Sequence, residues 1–314
     1  MTILSPSKFK DRLITAKGEK RAFVPMESME TLWFNTGTLC NLKCANCYIE
    51  SSPTNDRLVY LEQSDVIPFL EEVKLNKNNK IKVQRIGFTG GEPFINPHMF
   101  EILEETFKRS LGALVLTNAY KVILRSEKKF LDLKEKYNDL LSLRVSLDHY
   151  TSEVHENERG IGTFEPTMKA IKWLYDQGFH LSIAGRSLTS ESMDEARQGY
   201  QNLLNESGID LNLTSSNLVI FPEMDAMEDV PEITVDCWGI LKKTPAMQMC
   251  SSERMIVKKK GSEKAQVQAC TLLAYDEEFN MGSTLEESFK PVYLNHPFCA
   301  KFCVLGGASC SSTE

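Results

Sequence analysis

The chain has 314 residues, 42% of them hydrophobic and 25% charged, which suits one large α/β domain or a domain with an appendage. Its net charge of −7 excludes the basic footprint of a nucleic-acid or anionic-membrane binder, and no stretch approaches the roughly 20 apolar residues of a membrane span. The N-terminus lacks the apolar core of a signal peptide, so a cytoplasmic chain with reduced thiols is predicted, and its nine cysteines need an explanation other than disulfides.

Residues 1–28 are polar and read as a lead-in. A short apolar run followed by helical periodicity then repeats. Strands are predicted over 31–36, 83–89, 113–117, 142–147, 179–184 and 216–221, and helices over 62–75, 97–110, 126–138, 164–177 and 191–206. Met99, Phe100, Leu103 and Phe107 share one face of the second helix, and Gly178 reads as a C-cap. Strands alternating with helices predict a parallel sheet with right-handed crossovers, whose functional groups collect at the carboxyl ends of the strands. The polar punctuation after the predicted strands falls on that one rim. Beyond residue 230 the periodicity weakens and Pro231 and Pro245 appear, which places a boundary near 230–240. The runs 255–258 and 265–270 flank Lys260-Gly261-Ser262 and read as a hairpin, and 284–289 reads as a helix. Lys258, Lys259 and Lys260 read as a solvated turn.

Cys40, Cys44 and Cys47 are spaced C-x3-C-x2-C just after the apolar Leu32, Trp33 and Phe34, so all three can turn toward one point. Three thiolates on a four-iron cluster leave one iron without a protein ligand, where a small molecule can bind and receive an electron. The plainer readings of these cysteines are a structural zinc site or simple packing; a zinc site wants a fourth ligand, as does a ferredoxin cluster. Gly90-Gly91-Glu92-Pro93 closes the second strand and alone would signal only a turn.

In this order the motifs resemble the radical SAM superfamily, from about residue 30 to about 225. The resemblance implies a partial (β/α)6 TIM-like barrel over 29–230, holding a 4Fe-4S cluster on Cys40, Cys44 and Cys47 and binding S-adenosylmethionine (SAM). Gly90, Gly91, Glu92 and Pro93 match the segment that holds the SAM amino group, with glycines for close backbone approach and the Glu92 carboxylate offered to the ammonium. Tyr48 is assigned to the adenine edge, because Asn46 stands where the family usually carries an aromatic residue. Ser146 and Asp148 match a segment near the ribose, and His155, Arg159 and Gly160 lie where relatives carry a His…Arg-Gly pattern. Arg159 or Arg186 is offered to the SAM carboxylate. The hydroxyls of Thr117, Ser146 or Ser187 are offered to the remaining oxygens, and Asn118 follows Thr117 on the same rim. The plainer readings are an ordinary ion pair for Arg186, a helix-face histidine for His155 and a cap for Asp148.

Cys250, Cys270, Cys299, Cys303 and Cys310 resemble the SPASM or twitch extension of some members, which implies a small cysteine-rich α+β unit over 231–314. Four of these five are expected to hold one auxiliary Fe-S cluster, with a zinc ribbon as the alternative and Cys237 as a packing residue. The implied reaction is reductive cleavage of SAM to a 5′-deoxyadenosyl radical that takes hydrogen from a small molecule or peptide, for a net oxidation or rearrangement. A flavodoxin or ferredoxin is the implied reductant. The short lead-in shifts the expectation toward a small molecule, or a peptide held by a separate partner. The stretch 221–225 reads as substrate-facing. The rival class, a non-catalytic electron carrier or redox sensor, needs no SAM pocket.

Overall fold

The computed structural model describes residues 3–77, 79–213, 217–222 and 227–306; Cys310 and positions 223–225 of the substrate-facing stretch lie outside the described residues. Six strands, β1 (Met29–Asn35), β2 (Ile81–Thr89), β3 (Gly112–Thr117), β4 (Leu141–Ser146), β5 (His180–Ser187) and β6 (Leu218–Pro222), pair in chain order and all in parallel. The sheet stays open, with β6 at one edge, so the barrel is partial. Helices α1 (Gln63–Leu75), α2 (Met99–Lys108), α3 (Glu127–Tyr137), α4 (Ser152–Arg159), α5 (Phe164–Asp176) and α6 (Met193–Glu206) fill the crossovers. Of these, α4 is an addition to the predicted set.

Local chemistry explains these elements. The α2 face of Met99, Ile102, Leu103 and Phe107 is buried, as helical spacing requires when one side meets a sheet. Strand β1 buries Leu32, Trp33 and Phe34 in succession, because a parallel strand is covered on both faces. Gly178 adopts φ +67° after α5, the left-handed conformation of a C-cap.

The predicted hairpin forms from β7 (Glu253–Val257) and β8 (Gln266–Gln268), with Met255 opposite Gln268, and β9 (Asn280–Gly282) continues it. It does more than fold on itself. Strand β7 also lies parallel to β1, with Trp33 opposite Met255, so the sheet runs on to nine strands. Segment 284–289 forms turns rather than a helix. The lysine run is not simply solvated either. Lys258 meets Asp65 at 2.8 Å, Lys260 meets Asp56 at 2.5 Å and Lys259 pairs with Glu277.

The lead-in is a strap. Phe9, Ala22, Val24 and Met26 are buried in it, and Phe23–Val24 pairs antiparallel with Val292–Tyr293. Arg21, fully buried, reaches Glu232 at 2.6 Å. Polar composition concealed these sparse apolar anchors. Among the described residues no helix is long and apolar enough to cross a membrane.

Candidate functional site

The loop after β1 brings Cys40, Cys44 and Cys47 to one cavity of about 180 Å³ at the carboxyl ends of the barrel strands. Backbone bonds hold that loop in place. Cys40 N–H donates to the Ser52 carbonyl at 3.0 Å and Ala45 N–H to the Glu158 carbonyl at 2.8 Å. From the C-terminal segment, the Tyr275 hydroxyl donates to the Ile49 carbonyl at 2.7 Å. From the end of β2, Gly91 N–H donates to the Gly37 carbonyl at 2.8 Å. A Cβ on Gly91 would stand 2.0 Å from the Leu39 carbonyl oxygen, and Gly90 has φ +139°. The two glycines therefore also let the strand end close onto the cysteine loop.

The thiols sit in an environment hostile to bare negative charge. Burial pushes Cys40 up to about 12, with Glu92, Cys44 and Cys47 adding to the rise. Burial also raises Cys44, against the pull of Arg159. Yet N–H groups point at the sulfurs: Leu42 N lies 3.4 Å and Asn118 Nδ2 3.6 Å from Cys40 Sγ, and Ser51 N lies 3.3 Å from Cys47 Sγ. Donors arranged for sulfur anions, in a place where those anions need a cation, fit a thiolate-bound iron–sulfur cluster.

Tyr48, Gly90, Gly91, Thr117 and Asn118 line the same cavity, as do Ser146, Asp148, Arg159 and Arg186. Glu92 and Pro93 do not. The Glu92 carboxylate is buried and accepts from Phe94 N at 3.0 Å, Thr117 Oγ1 at 2.9 Å and Asn118 N at 2.8 Å. Burial pushes it up to about 7 against those three donors. This corrects the expectation of a carboxylate offered to an ammonium group: the side chain instead laces the end of β2 to the end of β3.

The arginines are committed to carboxylates as well. Arg159 grips Asp148 through two bonds of 2.8 and 2.9 Å. Burial opposes ionisation of Asp148, but the Arg159 guanidinium holds its carboxyl below the ordinary range. Asp148 is thus an ion-pair partner rather than a cap. Arg186 donates to Glu158 at 3.1 Å and to the Asn46 carbonyl at 2.6 Å, the ordinary ion pair that was its plainer reading. Asn46 Nδ2 also donates to Glu158 at 3.1 Å, so the residue that departs from an aromatic there ties the cysteine loop to α4. His155 is fully buried against the Phe164 ring, pushed down to about 4 by burial, and does not line the cavity. Ser187 is exposed and likewise absent from the lining.

Among the cavity residues not singled out from the sequence are Arg144, Leu272 and Phe302. Arg144 on β4 could have been found as a charge inside an apolar run. Leu272 and Phe302 come from the segments around Cys270 and Cys303, so the cysteine-rich unit contributes to the cavity wall. Burial pushes Cys250 up to about 12 and Cys270 up to about 11, and it raises Cys299 well above a free thiol. The charge of Cys270 bears on both Cys250 and Cys299, so these three thiols share one environment. Cys303 lies on the π-helical segment Cys299–Leu305. Cys237 accepts the Thr234 N–H at 3.3 Å, as a packing cysteine can. This donor set also fits thiolate-bound iron.

A family model described as the Radical SAM superfamily matches residues 34–197. The subtilosin biosynthesis protein AlbA of Bacillus subtilis is 36% identical over 172 residues, 54% of this chain and 35% of that protein. The mycofactocin maturase MftC of Mycolicibacterium smegmatis is 24% identical over 157 residues, 50% of this chain and 37% of that one. The chain thus spans little more than a third of the length of these curated relatives. Streptococcus suis SuiB bound to precursor peptide SuiA superposes with a TM-score of 0.57 at 12% identity, over 85% of this chain and 66% of SuiB. Native anSMEcpe with bound AdoMet gives 0.59 at 18% identity, over 83% and 80%. At these identities the two structures speak for the fold.

Proposed function

The chain belongs to the radical SAM superfamily, and on that premise we propose that it binds a 4Fe-4S cluster and SAM in the barrel cavity and modifies a peptide by hydrogen abstraction. When bound, the cluster supplies one electron to the sulfonium of SAM, releasing methionine and the 5′-deoxyadenosyl radical that takes a hydrogen atom from the substrate. The protein's part is ligation, orientation and exclusion of water. Cys40, Cys44 and Cys47 hold three irons. The backbone of Gly90 and Gly91 would meet the amino end of SAM, Tyr48 would meet the adenine, and Ser146, Thr117 and Asn118 would offer polar groups between. Arg159 and Arg186, held in ion pairs with Asp148 and Glu158, would offer their remaining N–H donors to the carboxylate end.

One observation carries this reading: three cysteines of one loop and the two glycines Gly90 and Gly91 line a single cavity. A carrier or sensor has no use for a cavity beside its cluster. The relatives' names favour a peptide, since AlbA serves a bacteriocin and MftC is a maturase, which moves the expectation away from a small molecule. The unit over 231–314 is read as holding one auxiliary cluster on four of Cys250, Cys270, Cys299, Cys303 and Cys310, which would accept an electron from a substrate radical. A flavodoxin or ferredoxin is the proposed reductant. Anaerobic reconstitution with iron, sulfide, SAM and dithionite, followed by chromatography, tests the core of the reading. Release of 5′-deoxyadenosine is expected, and its absence from a protein that carries the cluster would sink the proposal.

A further inference from the structure

Arg254, on β7 beside the second cysteine group, is fully buried. Its guanidinium donates to the carbonyls of Cys250 and Glu253 at 2.7 Å, Ser288 at 3.0 and 3.1 Å, and Lys290 at 3.1 Å. Every one of these acceptors is neutral. Its chain neighbour Glu253 turns to the opposite face of the strand and takes the Trp33 indole N–H at 2.6 Å. Arg21 makes the contrast plain: equally buried and also bonded to carbonyls, it has Glu232 at 2.6 Å as a counter-charge. Among the described residues, Arg254 forms no ion pair with a carboxylate.

A buried cation supported only by dipoles is costly unless an anion completes the site. The groups whose charge bears on Arg254 are Cys250 and Cys270. As neutral thiols they offer it nothing. As thiolates on an iron–sulfur cluster they belong to a group of net negative charge, which gains one more on reduction. Hydrogen bonding, burial and nearby charge are the protein's means of setting such a potential.

We propose that Arg254 is the buried counter-charge of the auxiliary cluster: it holds the Cys250 backbone in place and raises the cluster's reduction potential by favouring the more negative, reduced form. This rests on the auxiliary-cluster reading above. The role is positioning and electrostatic, since the arginine itself ligates no metal.

The test uses the triple variant Cys40→Ala/Cys44→Ala/Cys47→Ala, reconstituted anaerobically, so that remaining iron belongs to the second group. An iron-free triple variant would overturn the auxiliary-cluster reading before Arg254 is touched, and this inference with it. If iron is present, EPR-monitored redox titration compares Arg254, Arg254→Lys and Arg254→Met. Arg254→Met is expected to shift the reduction equilibrium tenfold or more toward the oxidised cluster, about 59 mV in midpoint potential, with Arg254→Lys close to the parent. Loss of the cluster from Arg254→Met alone would support the same charge requirement. An unchanged midpoint in Arg254→Met, an equal shift in both variants, or loss of the cluster from both would overturn it.

Discussion

His155 and Gly91 show how much single positions are asked to do. The His155 ring is buried beside Phe164, and burial pushes its pKa from 6.5 down to about 4, so the folded protein holds it neutral. An unfolded chain takes up that proton near pH 6.5, so the stability gained from the neutral ring is full above that pH and is lost as pH falls toward 4. Between pH 7 and 5 this loss is about 2 kcal/mol. Anaerobic denaturant titrations should therefore show His155→Phe losing less stability than the parent over that interval, by about that amount; parallel losses would mean that the ring does not carry the effect. Gly91 is constrained by contact rather than charge. A Cβ there would press 2.0 Å from a backbone oxygen of Leu39, which has no rotamer to escape into. Gly91→Ala must push the cysteine loop away, and is expected to lose most of the iron held by Cys40, Cys44 and Cys47 while iron on the second cysteine group remains. Iron and sulfide analysis in a Cys250→Ala/Cys270→Ala background reads the loss at the barrel site alone, the same analysis of Gly91→Ala by itself reads the iron that stays on the second group, and undiminished iron in the first background would mean that the loop tolerates the Cβ.

Elements of the barrel were legible because their signals are local. Short apolar runs, such as Ala113-Leu114-Val115-Leu116, declare a parallel strand covered on both faces, and α2 shows its face by helical spacing. The three-cysteine spacing is local too. Other features were hidden because their partners lie far along the chain: nothing within 253–257 says that β7 will lie beside β1 as well as β8. Salt bridges such as Arg159–Asp148 and Arg186–Glu158 were hidden for the same reason, since spacing shows that a charge exists and not what meets it. The π-helical segment Cys299–Leu305 is a further case, because sequence spacing does not announce a turn wider than that of an α-helix between Cys299 and Cys303. Cys303→Ser is expected to lower auxiliary iron as far as Cys299→Ser does, by about four irons per chain if the cluster is lost outright. Cys237→Ser, which alters only the sulfur that accepts from Thr234, should leave the iron content unchanged.

On the scale of the whole molecule, the barrel and the cysteine-rich segment are one chamber. The strap of residues 3–28 binds the segment through Arg21–Glu232 and the Phe23–Val24 pairing, while β7 fuses it to the barrel sheet. The consequence falls at the cavity, where Phe302, from between Cys299 and Cys303, stacks on Phe221 of β6 at 6.0 Å and 20°. Both rings line the cavity that the three cysteines also line, so under the proposed function the stack would keep water and adventitious hydrogen donors from the radical. Truncating it should separate that role from SAM cleavage. Phe302→Leu retains most of the packing volume and avoids the roughly 3–5 kcal/mol cost of Phe→Ala. The variant is expected to cleave SAM at a near-parental rate but to release more 5′-deoxyadenosine per product formed, by several-fold, because the radical is quenched by solvent-borne donors. Repeating the reaction in deuterated water makes the outcome unambiguous. Deuterium should enter the 5′-deoxyadenosine of Phe302→Leu more than that of the parent, and equal incorporation would mean that the Phe221–Phe302 stack does not seal the chamber.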